Sequence, residues 1–139
     1  MRVMVLVKAN KESEAGVLCS REVMEKMGKF IDELLKAGVM LAADGLRASA
    51  KGKRVKFSGT DRVVTDGPFA ETKELLGGFW LWKVKSMDDA VQWLKRAPFD
   101  GGVEVEIRQV LEDEDFGGNL TPEMKKRNER LRAHFKQRA

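Results

Sequence analysis

The residues best able to do chemistry are concentrated in one segment, Asp66-Gly67-Pro68-Phe69-Ala70-Glu71-Thr72-Lys73-Glu74. Gly-Pro forces a turn, and such a loop can turn Asp66, Glu71, Thr72 and Lys73 towards a shared pocket. The plainer reading is a loop pinned in the core by Phe69, with solvated charges around it. Acid–base work would fall to environment-shifted carboxylates or lysine, with Asp44, Asp66 and Lys73 as candidates. Arg47 and Arg108 suit an anionic ligand, because a guanidinium fork matches a carboxylate. Asp44-Gly45 also reads as turn chemistry, and Arg108 as a rim ion pair. Cys19 precedes a helix, where the dipole favours thiolate, but no motif surrounds it. His134, the sole histidine, lies in a C-terminal segment and reads as a solvated side chain. Gly77-Gly78 lacks the Lys-Ser/Thr of a phosphate loop, and no Cys/His cluster suggests a metal. No cofactor is indicated.

These residues need elements to position them. Residues 2–8 are apolar on both faces, as in a strand covered on both sides. Ser20 can cap a helix running to Ala37, with Gly38 just past its end and Met24, Met27, Phe30, Ile31, Leu34 and Leu35 as its stripe. Val39–Leu46 reads as a strand, and 53–57 with 62–65 as a hairpin around Ser58-Gly59-Thr60-Asp61. A loop with one helical turn carries Phe69 to Gly77. Strand 78–85 follows, with Trp80 and Trp82 on one face and Phe79 and Leu81 on the other. Ser86 opens a helix that stops at Pro98, and Val103–Val110 closes the body as an alternating strand.

The order predicts an α+β, ferredoxin-like split β-α-β fold with an inserted hairpin and both helices on one sheet face. Strands apolar on both faces then leave one face uncovered, either that of the tryptophans or its opposite. A homodimer through strand 78–85 is the expected cover, with the C-terminal segment as the competitor. Trp80 and Trp82 read as core or interface. Residues 1–111 form this domain; 112–139 form an acidic linker and an extra basic helix with Met124, Leu131 and Phe135 on one stripe.

Composition sets the outer bounds. The chain has 139 residues, 35% charged and 42% hydrophobic, which excludes disordered and membrane classes. A single cysteine excludes an intrachain disulfide framework, and the N-terminus is too promptly charged for a signal peptide. A cytoplasmic protein is expected. The net charge of +4 is spread among both signs, so nucleic acid is an unfavoured partner.

The DGPFAETKE segment followed by a Gly-Gly-aromatic strand resembles the signature of DGPF-domain proteins, within the YCII-related family. The likeness extends to MRVMVLVKAN, AGVMLAADGL and Ile107-Arg108-Gln109-Val110, covering roughly residues 1–110. It implies a dimeric α/β barrel of ferredoxin-like subunits with a pocket at the barrel. It fixes no reaction, although a few relatives are dehydrochlorinase-like lyases. The family's first-helix histidine, eleven residues before the glycine that ends the helix, would fall on Met27. A methionine cannot shuttle protons, so the family's His-Asp pair is missing. Two functions follow: a homodimeric binder of a small anionic or polar molecule, lyase- or oxygenase-like if it is an enzyme, or a non-catalytic regulatory module.

Overall fold

A computed structural model describes residues 1–138, apart from the side chains of Thr72 and Arg138. The chain divides into two compact units, residues 1–109 and 110–139.

In the first unit, β1 (Arg2–Lys8) leads through a single helical turn, α1 (Lys11–Glu14), into α2 (Arg21–Lys36) and β2 (Met40–Gly45). The inserted ribbon is β3 (Lys53–Ser58) with β4 (Asp61–Asp66). After it come β5 (Leu76–Lys83), α3 (Met87–Lys95) and β6 (Val105–Gln109). Four strands form one antiparallel sheet in the order β2-β5-β1-β6, and β3 pairs only with β4. This is the mixed α+β, split β-α-β order that the pattern predicts.

Each helix starts where its cap dictates. Ser20 accepts from the Val23 N–H at 3.3 Å, and Ser86 accepts from the Asp89 N–H at 3.1 Å. Gly38, at φ 71°, takes the left-handed conformation that ends α2. The helix α1 is a separate element inside a stretch that sequence reading leaves as polar chain. Asn10 and Ser13 bond each other's backbone reciprocally and nucleate it.

The core lies between the sheet and α2 and α3. It comprises Val3, Val5, Phe30, Leu34, Val39, Trp80, Trp82, Val84 and Ala90. Trp80 stacks on Trp82 with centroids 5.5 Å apart and meets Phe30 at 5.9 Å and Phe99 at 5.8 Å. The tryptophans therefore belong to the helix-covered face. Alternation sends Met4, Leu6, Phe79 and Leu81 to the opposite face. There Met4 pairs with Leu81 and Arg108, and Leu6 with Phe79 and Glu106. All four apolar side chains are only partly buried.

In the second unit, a 3-10 stretch (Asp113–Asn119) precedes α4 (Pro122–Arg138). Asp113 accepts from Arg132 at 2.9 and 3.3 Å and from Asn128 at 3.1 Å. Those bonds, led by Arg132, hold its carboxyl below the usual range. Met124, Leu131 and Phe135 are exposed, and the His134 ring lies 6.3 Å from that of Phe135. Among the described residues, no helix is long and apolar enough to cross a membrane.

Candidate functional site

The Asp66–Phe69 turn is held by backbone contacts more than by its charges. A Cβ on Gly67 would stand 1.8 Å from the Ser49 carbonyl oxygen, so only glycine fits there. The Gly67 N–H donates to the Gly52 carbonyl at 3.0 Å, and the following Gly67–Pro68 peptide bond is cis. Ser49 is the hub. Its Oγ accepts from the Phe69 N–H at 3.0 Å, while its own N–H and hydroxyl donate to Glu14 at 2.9 and 2.5 Å. Those two bonds, the hydroxyl's first, lower the Glu14 pKa. Half-buried Phe69 carries the Arg54 guanidinium over its ring at 3.9 Å. The turn thus joins α1, the 3-10 turn Ser49–Lys51 and the base of the ribbon.

Asp66 closes the base of that ribbon. It is exposed and ion-paired with Lys53, its cross-strand neighbour. Lys73 is exposed on the 3-10 turn Thr72–Glu74 and Glu71 is exposed just before it, and the Thr72 side chain lies outside the described residues. The Glu71 carboxylate, by accepting a hydrogen bond from protonated Glu74 and by its charge, raises the Glu74 pKa against the pull of Arg54 and Lys8. Asp44 is exposed on edge strand β2 opposite Phe79, Arg47 is exposed in the loop after it, and Arg108 is exposed on β6, 3.9 Å from Glu106. Met27 is partly buried against the core.

Three hollows accompany these residues. The largest, about 850 Å³, opens beside the end of β1, and Lys8, Glu12, Cys19, Lys73, Asp100 and Glu104 are among its polar lining. An apolar groove of about 590 Å³ runs between α3 and β6, past Val91, Leu94, Phe99 and Ile107. A third, about 370 Å³, is walled by Ile31, Trp80 and Phe99, with Asp44 at its edge. Of the six site residues named from sequence whose side chains are described, Lys73 and Asp44 each line one of these hollows, a different one each. Sequence reasoning missed the Glu14–Ser49 tie, which spans 35 residues and leaves no local signal. It also missed the Glu71–Glu74 pair, for which the three-residue spacing is a signal. Among the described residues, no group of three or more His, Cys, Asp or Glu side chains could hold a metal.

Residues 1–113 match the model of the YCII-related domain. The chain belongs to the YCII-related family. This YCII-related chain is 32% identical over 89 residues to the uncharacterised protein R00369 of Rhizobium meliloti (strain 1021), covering 62% of this chain and 72% of that protein. Among solved structures it is similar to the 5-chloro-2-hydroxyhydroquinone dehydrochlorinase of Burkholderia phenoliruptrix AC1100, solved with 2,5-dihydroxybenzoquinone. That chain is 14% identical, the match covers 83% of this chain and 99% of that one, and the TM-score is 0.39.

Proposed function

We propose that this YCII-related protein is a cytoplasmic homodimer that binds a small polar molecule in the cleft beside the signature segment. The observation that carries the reading is the 850 Å³ cleft, which Lys73 of the signature segment lines together with Lys8. Its volume lies within the usual range for small-molecule sites. The architectural part of the segment, Gly67 to Phe69, fixes the turn from which Lys73 is presented. An enzyme using this cleft would draw protons through lysine or carboxylate, because Met27 stands at the family's histidine position. A lyase- or oxygenase-like activity would rest on those groups.

The dimer part of the reading rests on the open sheet face. Met4, Leu6, Phe79 and Leu81 form an apolar patch ringed by Arg108, Glu106 and Asp44, and two such patches packed together bury each other. Face-to-face pairing of this kind gives the dimeric α/β barrel of the family resemblance.

A metabolite panel screened by thermal shift and native mass spectrometry tests the ligand reading. A ligand at about one hundred times its Kd stabilises the fold by about 2.7 kcal/mol. The expected result is a stabilising compound whose effect disappears in Lys73→Ala. A panel without one stabilising member argues against the cleft. Incubating the selected compound and following its mass decides between turnover and the second reading, a non-catalytic regulatory module, which Met27 favours.

A further inference from the structure

The β3–β4 ribbon is built unlike the rest of the first unit. All twelve of its strand residues are exposed, and among the described residues it pairs with no other strand. Register places Val55 opposite Val64 and Phe57 opposite Arg62 on one face, with Val55 51%, Val64 58% and Phe57 71% exposed. A lone two-stranded hairpin is marginal in water. This one is nevertheless clamped at its base by Lys53–Asp66, by Gly67 to Gly52, and by the Ser49 bond to Phe69. A ribbon clamped at its base, with Val55 and Val64 exposed on the face where Phe57 lies under the Arg62 guanidinium at 4.5 Å, is an arm.

We infer that the β3–β4 ribbon reaches onto a second copy of this chain and completes the homodimer; the inference rests on the open-face dimer proposed above. The size of the open sheet face points to a second copy. Four strands about 4.8 Å apart, each with about five positions of ~3.4 Å, present a face of roughly 330 Å² in projection. Even doubled for side-chain relief, that falls short of the ~800 Å² per partner of a stable specific interface. The arm is continuous in chain with β2 and β5, two strands of the open-faced sheet, and its Val55, Val64 and Phe57 face adds the missing apolar area.

The test uses the full chain and the variant Val55→Lys with Val64→Glu. It exchanges an apolar cross-strand pair for an oppositely charged one, so hairpin pairing is kept while the contact is lost. Sedimentation velocity over a dilution series should show dimerisation weakened at least tenfold, with the far-UV circular dichroism spectrum unchanged. The swapped pair, Val55→Glu with Val64→Lys, should do the same, which separates contact loss from any misfolding of one variant. Leu81→Arg probes the sheet face independently. If Leu81→Arg dissociates the dimer and both arm variants retain wild-type dimerisation, the arm inference is overturned while the open-face dimer stands. If the wild-type chain is monomeric throughout, both fall.

Discussion

Replacing Gly67 by alanine separates an architectural signature from a ligand-contacting one. The added Cβ would lie 1.8 Å from the Ser49 carbonyl oxygen, and real contacts essentially never fall below 3.0 Å. One backbone segment must therefore retreat by at least the difference, 1.2 Å. That retreat strains the Gly67-to-Gly52 and Phe69-to-Ser49 bonds, each 3.0 Å long. Overpacking of this kind costs about 1–3 kcal/mol, and each weakened bond about 1 kcal/mol more. The expected loss is about 3–5 kcal/mol, read as a fall in the urea midpoint at constant m-value. Gly28→Ala is the control. It lies inside α2 with nothing within 4 Å of its Cβ, so it should stabilise by about 0.5–1 kcal/mol. A Gly67→Ala protein within about 0.5 kcal/mol of wild type would refute the architectural account of the turn.

The core makes its own forecast: Trp82→Ala should cost about 3–5 kcal/mol in chemical denaturation. Trp82→Phe should cost less than about 1.5 kcal/mol, because the buried Nε1–H has no partner to lose. Glu74 has a raised folded pKa, so its contribution to stability is present below the unfolded value near 4.3 and lost as pH rises through the folded value. Glu74→Gln should therefore raise the melting temperature at pH 7, an advantage that disappears by about pH 4. Glu14 has the opposite sign: its lowered pKa supports the fold above the unfolded value, and that support goes as pH falls through the folded one. Glu14→Gln should melt lower than wild type at pH 7 and show a shallower acid limb. Truncation after Gln109 keeps every buried core residue, so residues 1–109 should still melt cooperatively in calorimetry.

The elements were legible wherever one local pattern decided them. The stripe of α2, the caps at Ser20 and Ser86, and the turn between β3 and β4 all fall within a residue or two of their sequence positions. The orientation of β5 was not legible, because Phe79-Trp80-Leu81-Trp82 is apolar on both faces and alternation alone cannot choose between them. In the folded chain the larger rings, Trp80 and Trp82, meet Phe30 and Phe99 beneath the helices. The short helix α1 had only the Asn10/Ser13 reciprocity to announce it. The candidate site was the least legible part. Ser49 reaches Glu14 and Phe69 over separations of 35 and 20 residues, which no local window contains. Asp66 and Lys53 meet only because the ribbon brings its two ends together.

A homodimer formed through the open sheet face doubles the mass in solution, which light scattering reads without a label. Wild-type protein at micromolar concentration should show twice the 15.7 kDa chain mass, 31.4 kDa. Leu81→Arg, altered at a half-buried position on the open face, should keep its fold and show 15.7 kDa. A wild-type mass of 15.7 kDa, or a Leu81→Arg protein that remains at 31.4 kDa, would contradict the account.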